Sequence, residues 1–167
     1  MSECSSFIDR IRMSDEMGSL INAMNGGYTE PGPAGNMFRG KTGIYPTGRN
    51  LHTANPELLP TKASYRIGCE LADELLSTYL EDNGEYPEEL ALSWMSNDLV
   101  IADGEFIGQV MSLIGVEPVW SPDGRVNDFR IVPKERLTHP RIDVLIRPVS
   151  SIISLFRDRV DLLDRAI

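Results

Sequence analysis

The sequence has few cysteines and no long apolar run, and each scarcity excludes a class of protein. Its only thiols, Cys4 and Cys69, lie far apart without a C-x-x-C spacing, so neither a disulfide framework nor a thiolate metal site is indicated. No uncharged apolar stretch approaches the roughly 20 residues of a membrane-spanning helix, and the N-terminus lacks the basic start and apolar run of a signal peptide. We therefore expect a cytoplasmic protein without a membrane partner.

Positive charge is also scarce. The 167 residues include 16 Lys and Arg against 25 Asp and Glu, which gives a formal net charge of -9. Such a surface repels a phosphate backbone and offers few cations for counterion release, so we expect no nucleic-acid partner. The hydrophobic content of 41% is enough for one core, because a domain of this size buries roughly two thirds of its unfolded surface.

The first 60 residues combine a short helical pattern with a long irregular segment. Met17, Leu20, Ile21 and Met24 have helical spacing, and the pattern stops at Gly26-Gly27. Prolines and glycines then interrupt any helix or strand pattern up to residue 60, and a loop of this length is usually functional or disordered. Its basic and aromatic residues favour an ordered binding element. We predict a helix and Gly/Pro-rich loop over 1–60, joined to an α/β domain over 61–167 in one structural unit.

Residues 61–167 alternate helical and strand patterns. Thr61 precedes a predicted helix that ends near Asn83-Gly84. The apolar face predicted for this helix is Ile67, Leu71, Leu75 and Tyr79. The further predicted elements are a strand at 90–94, a helix at 105–114, two paired strands at 117–120 and 126–132, a strand at 142–146 and a helical tail over 152–167. This alternation is typical of an α/β fold with a helix-covered, largely parallel sheet and Rossmann-like layers.

Gly35 to Thr42 match the P-loop expression G-x-x-x-x-G-K-[ST], which makes a small NTPase one alternative. A P-loop needs an apolar strand before it and a helix after it, because the helix N-terminus completes the phosphate site. Prolines precede the motif, and Gly43 and Pro46 would break a following helix in its first turn. The sequence therefore disfavours this alternative.

Several short segments of different sequence follow one another in a characteristic order along the chain. They are Gly27-Tyr28 with Pro31 to Gly35, Pro46-Thr47-Gly48-Arg49-Asn50-Leu51-His52, Tyr86-Pro87-Glu88, Trp94, Gly104-Glu105, Leu113 to Trp120, Pro140 to Val144 and Leu162 to Ala166. Together they resemble the family of cobaltochelatase large subunits (CobN type) and magnesium-chelatase H subunits. The resemblance spans nearly the whole chain but only an internal part of the family's much longer proteins, so we interpret the chain as a fragment.

One segment departs from the family pattern. The family's Ser-Gly-x-Phe-Arg-Asp signature closely follows Arg-Ile-Asp-Val, whereas Ser150 to Ser154 stand in that place here and Leu155-Phe156-Arg157-Asp158 come later. The resemblance implies a ligase subunit that binds a porphyrin or corrin ring, with no tightly bound cofactor. Cobalt or magnesium is then the substrate, while AAA+ partner subunits use ATP and other large-subunit segments complete the enzyme. A non-catalytic module that docks with chelatase partners is the alternative.

Metal insertion requires groups that hold the ring's carboxylates, hold the metal loosely and accept the pyrrole protons. Arg39, Arg49 and Asn50 are predicted to bind the substrate, since arginine pairs with carboxylates through two parallel hydrogen bonds. His52 and Glu105 are predicted as catalytic residues and as metal ligands, because imidazole and carboxylate serve both tasks. A solvated loop explains the arginines equally well, and a carboxylate in the first turn of a helix explains Glu105.

Three further residues are predicted to contact the substrate. Trp94 offers a large aromatic surface for a ring, while Arg141 and Asp143 flank Ile142 and so point to one face of a strand. Core packing explains Trp94 about as well, and a structural ion pair explains Arg141 with Asp143.

Overall fold

A computed structural model describes residues 2–35, 37, 40–52 and 55–167, which divide into two compact units, Met1–Ala54 and Asn55–Ile167. The helices are α1 (Ser2–Arg12), α2 (Glu16–Met24), α3 (Lys62–Asn83), α4 (Ser96–Ile101), α5 (Glu105–Ile114), α6 (Ser150–Leu155) and α7 (Arg157–Asp164). The strands are β1 (Pro31–Pro33), β2 (Asn50–His52), β3 (Glu89–Trp94), β4 (Val116–Trp120), β5 (Val126–Ile131) and β6 (Asp143–Pro148). The mixed composition confirms the predicted α/β class.

In the first unit, two helices precede a short parallel strand pair. The Asp15 carboxylate accepts a hydrogen bond from the Gly18 N–H at 2.8 Å and so caps α2. Strands β1 and β2 pair in parallel, with Gly32 opposite Leu51. Helix α1 was not predicted from the sequence. Along the chain, the 3-10 turn Thr42–Ile44 follows β1 and precedes β2.

In the second unit, α3 packs against α5 through small residues. The buried positions of α3 are Ser64, Gly68, Ala72 and Leu76. A Cβ on Gly68 would stand 2.5 Å from the Glu105 carbonyl oxygen, and one on Gly108 would stand 2.8 Å from the Tyr65 Cα. The predicted apolar face of α3 is therefore wrong by one position, because the close approach of α5 selects small side chains over large ones.

The strands of the second unit form two separate pairs. Strands β3 and β6 are parallel from Glu89 opposite Asp143 to Trp94 opposite Pro148. Strands β4 and β5 form the predicted antiparallel pair. When β1–β2 of the first unit is included, two of the three strand pairs in the described residues are parallel. The three pairs form three separate two-stranded sheets and not the single sheet that was predicted.

The core of the second unit lies around α5, whose apolar face is buried from Ile107 to Ile114. The predicted helical tail divides at Phe156 into α6 and α7, and the Phe156 side chain is buried at the break. Helix α4 was not predicted, because six residues are too few to reveal the helical spacing of apolar side chains. No helix in the described part of the chain is both long and apolar enough to cross a membrane.

Candidate functional site

The segment from Pro46 to His52 is bound to the start of α2. The Thr47 N–H donates to the Ser14 Oγ at 3.0 Å. Gly48 has a φ of +83°, and a Cβ on it would stand 2.5 Å from the Asp15 carbonyl oxygen. Only glycine combines this conformation with so close an approach, so the motif is held in one place on the first unit.

Arg49 is the structural centre of this segment. Its Nε donates to the Pro46 carbonyl oxygen and its Nη2 to the Gly43 carbonyl oxygen, each at 2.8 Å. The side chain also lies on Gly32 of β1, where a Cβ would stand 2.6 Å from the Arg49 Nε. A guanidinium has five N–H donors, so these two bonds orient the group and leave further donors for a ligand.

A groove of about 580 Å³ lies between α2 and the segment from Pro46 to His52, called the Arg49 segment below. Its walls are Glu16, Ser19, Leu20, Ala23, Gly27, Tyr28, Thr29, Gly48, Arg49 and Asn50. The volume lies within the range of roughly 300–1,000 Å³ of small-molecule sites. The helix wall has the apolar Leu20 and Ala23 and the acidic Glu16, while the loop wall has the Arg49 guanidinium and the Asn50 amide. The guanidinium can pair with an anionic group of an otherwise apolar ligand.

The outer face of α2 extends the apolar surface beside the groove. No residue of this helix, which is described throughout, is buried, and Met24 is 79% exposed. Met17, Leu20 and Ile21 are each more than half exposed. Contiguous apolar surface of this kind marks a site that a ligand or another polypeptide covers.

The other residues predicted in the first unit have different surroundings. His52 ends β2 with an exposed side chain, and its carbonyl oxygen accepts from the Ala34 N–H at 3.1 Å. Arg39 lies outside the described residues. Lys41 is followed by the 3-10 turn Thr42–Ile44, and no α-helix begins among residues 40–52. The described part of the Gly35 to Thr42 motif therefore lacks the helix N-terminus that a P-loop requires.

In the second unit, Trp94 and Glu105 lie close to Asp98, which the sequence analysis did not select. Trp94 is 1% exposed and stacks on Phe106, with ring centroids 5.3 Å apart. The Asp98 carboxylate accepts from the Trp94 Nε1 at 3.1 Å and from the Phe106 N–H at 2.8 Å. Asp98 thus caps α5, whose half-buried first residue is Glu105. A carboxylate that accepts from a backbone N–H eight residues later gives no local sequence signal.

Arg141 and Asp143 do not form the ion pair that we considered. Asp143 begins β6 with an exposed side chain, and its N–H donates to the Glu88 carbonyl oxygen at 3.0 Å. Arg141 precedes the strand, and its Nη2 donates to the Val132 carbonyl oxygen at 2.7 Å. Both residues are described, and their charged groups form no ion pair with each other.

The two predicted metal ligands belong to different units, His52 to the first and Glu105 to the second. Among the residues that the structure describes, no group of three or more His, Cys, Asp or Glu side chains has the arrangement of a metal site. The chemistry expected of His52 and Glu105 remains a prediction.

Comparison with known proteins gives one consistent result. The CobN/Magnesium Chelatase family model matches residues 2–167. An uncharacterized protein of Methanocaldococcus jannaschii is 45% identical over 95% of this chain and 13% of its own length. The chloroplastic magnesium-chelatase subunit ChlH of Oryza sativa subsp. japonica is 39% identical over 100% of this chain and 12% of its own length.

A solved structure agrees with these relatives. The catalytic subunit of cobaltochelatase from Mycobacterium tuberculosis matches with a TM-score of 0.87 and 33% identity, over 90% of this chain and 13% of that one. The chain therefore spans about an eighth of the length of the proteins that it matches.

Proposed function

Because the chain belongs to the CobN/magnesium chelatase family, we propose that it acts as a segment of the large, tetrapyrrole-binding subunit of an ATP-dependent metal chelatase. That enzyme inserts cobalt or magnesium into a corrin or porphyrin ring. The metal ion is a substrate, both pyrrole protons leave as the metal–nitrogen bonds form, and AAA+ partner subunits hydrolyse the ATP. Other segments of the large subunit complete the site.

The observation that carries the proposal within this chain is the groove between α2 and the Arg49 segment. A tetrapyrrole has an apolar macrocycle and carboxylate side chains. Leu20, Ala23 and Tyr28 provide apolar contact for the macrocycle. The donors of Arg49 that the Pro46 and Gly43 carbonyls do not use can pair with a ring carboxylate.

His52 and Glu105 are proposed for the proton and metal steps. An imidazole can accept a pyrrole proton at neutral pH, and an imidazole or a carboxylate can hold a divalent ion before transfer. His52 follows Asn50, a wall residue of the groove, on the same short strand. This position near the groove supports a role for its imidazole beside a bound ring.

Absorbance titration of the full chain with mesoporphyrin IX tests ring binding. We expect a shift of the porphyrin absorption band that saturates, and Leu20→Asp should weaken binding about tenfold by placing a charge on the apolar wall. Leu155→Asp is the matched control, because Leu155 is also exposed but lies outside the groove. An unchanged spectrum with the wild-type chain contradicts ring binding by this segment.

The exposed face of α2 favours a second candidate, a non-catalytic module that docks with chelatase partners. Met17, Ile21 and Met24 extend beyond the groove, and an apolar helix face is suited to contact another polypeptide. Copurification of the chain with AAA+ chelatase subunits, lost in Met24→Asp and without any porphyrin binding, would favour this candidate over the first.

A further inference from the structure

The second unit contains a cleft of about 540 Å³ that plays no part in the proposed ring groove. Tyr86 and Lys134 lie on its walls together with Thr138, His139 and Arg141. Tyr86 follows α3, Lys134 begins a 3-10 turn after β5, and the other three precede β6. The cleft is thus formed where three connecting segments meet.

The walls of this cleft carry only basic ionisable groups, apart from the phenol of Tyr86. Lys134, His139 and Arg141 line it, and no carboxylate does among the described residues. The chain as a whole has 25 acidic and 16 basic residues. A concave surface lined by basic and no acidic side chains therefore differs from the overall negative charge of the chain. Asp73 accepts a long hydrogen bond of 3.4 Å from the Thr138 Oγ1 at the exposed surface. The local charge of the cleft favours an anion.

Arg141 is held in position before any ligand arrives. Its Nη2 donates to the Val132 carbonyl oxygen at 2.7 Å. Its side chain lies on Gly115, where a Cβ would stand 2.8 Å from the Arg141 Nε. The next residue, Ile142, is buried and donates its N–H to the Leu113 carbonyl oxygen at 2.9 Å. A cation that is already ordered loses little entropy on binding an anion.

His139 adds a buried polar group to the same cleft. The residue is 9% exposed, and its Nδ1 lies 2.7 Å from the Pro140 carbonyl oxygen. A carbonyl oxygen can only accept, so Nδ1 carries a proton and donates it to this bond. This buried imidazole lines the same cleft as Lys134 and Arg141, so a ligand bound there changes its surroundings.

The walls of the cleft combine cationic side chains with an aromatic surface. Arginine and lysine side chains pair with carboxylates and phosphates alike. Tyr86 presents an aromatic surface beside them. A flat ligand that carries a carboxylate matches both features, since arginine pairs with carboxylates bidentately.

We propose that this cleft of the second unit is a binding site for an aromatic carboxylate. Arg141 and Lys134 pair with the carboxylate, Tyr86 packs against the ring, and His139 lines the cleft beside them. This site goes beyond the proposed function and is independent of porphyrin binding to the first unit.

NMR titration of the isotope-labelled full chain with 2-naphthoate tests the proposal. His52 and His139 are the only imidazoles in the sequence, so a His52→Gln variant assigns the His139 signal. We expect 2-naphthoate to shift that signal saturably, and uncharged 2-naphthamide to leave it unchanged. Arg141→Gln and Lys134→Gln should each weaken binding about tenfold, the effect of one lost charge-assisted bond.

Arg147→Gln is the matched control, because Arg147 is an exposed arginine of β6 outside the cleft. It should bind 2-naphthoate as the wild type does, and a similar loss of affinity in this variant would show nonspecific charge attraction. Three other results would overturn the proposal: no shift at His139, equal binding of 2-naphthamide, or displacement of 2-naphthoate by equimolar inorganic phosphate. Lys134 lies on a surface turn, so its variant tests the site even if the Arg141 variant fails to fold.

Discussion

Arg159 donates a hydrogen bond from its buried guanidinium to the carbonyl oxygen of Val126 at 2.6 Å. The same Nη1 donates to the Leu59 carbonyl oxygen at 2.9 Å, and Nε donates to the Asp158 carboxylate at 3.1 Å. Burial lowers the pKa of Arg159, and the neighbouring Asp158 opposes this change. One side chain that is 3% exposed thus joins α7, β5 and the segment before α3.

Replacing this guanidinium should destabilise the second unit strongly. We expect Arg159→Met to lower the free energy of unfolding by about 3 kcal/mol, because it leaves two carbonyl oxygens of buried residues and one carboxylate without their donor. Urea unfolding measures the change. Arg157→Met is the control, since the Arg157 side chain is 77% exposed and lies 3.8 Å from Asp161. It should change stability by less than about 0.5 kcal/mol.

A methyl group between α3 and α5 should separate the two helices. We expect Gly68→Ala to cost about 2 kcal/mol, because the added Cβ would meet the backbone of α5 and not a side chain that can turn away. Thermal unfolding measures this loss. The same substitution at Gly43 is the control, since a Cβ there has no neighbour within 4 Å among the described residues. Equal effects of the two substitutions would refute this packing.

Loss of the Asp98 carboxylate should weaken the start of α5. Asp98→Ala should lower stability by about 1 kcal/mol through the lost cap, and it should change the fluorescence of Trp94, whose Nε1 bonds to that carboxylate. Asn97→Ala tests the neighbouring exposed position of α4 and should change neither quantity. A normal emission spectrum in Asp98→Ala would show that the bond to Trp94 is absent in solution.

Cys69 should make stability depend on pH in the alkaline range. Burial raises the pKa of the Cys69 thiol above its usual value of 9.0, and a hydrogen bond with Tyr65 opposes this shift. Below the usual value the thiol is protonated in both the folded and the unfolded chain, so its contribution to stability is complete. As the pH rises, the unfolded chain loses the proton first, and that contribution falls until the folded thiol also ionises.

The measurement is the free energy of unfolding of the wild type and of Cys69→Ala between about pH 8 and about pH 10. The wild type should lose more stability over this interval than the variant. Because Cys4 is exposed, Cys4→Ala serves as the control and should keep the wild-type slope. Parallel curves for the wild type and Cys69→Ala would contradict the effect of burial on this thiol.

Local signals predicted both ends of α3. Thr61 caps α3 by accepting from the Ser64 N–H at 3.1 Å, and Gly84 ends that helix with a φ of +78°. Both effects depend on residues within one turn of the helix, so the sequence alone contains them. The buried face of α3 was wrong because it depends on Gly108 and its neighbours, about forty positions away along the chain.

The candidate site shows the same division between local and distant contacts. The motif around Arg49 indicated the family from sequence, yet the bonds of Arg49 to Pro46 and Gly43 and its contact with Gly32 require the folded loop. A buried Arg159 could not be expected from the sequence either, because charged side chains are almost never fully buried unless they are paired. Two of its three partners, Leu59 and Val126, come from distant segments.

Hydrogen–deuterium exchange with mesoporphyrin IX tests the central claim most directly, that the groove of the first unit receives the ring of a chelatase substrate. The porphyrin should slow exchange in peptides that cover residues 16–29 and 46–50, which supply the groove walls. Peptides from α3, which lies in the other unit, should be unchanged. Unchanged exchange over 16–29 and 46–50 at a saturating porphyrin concentration would contradict the account.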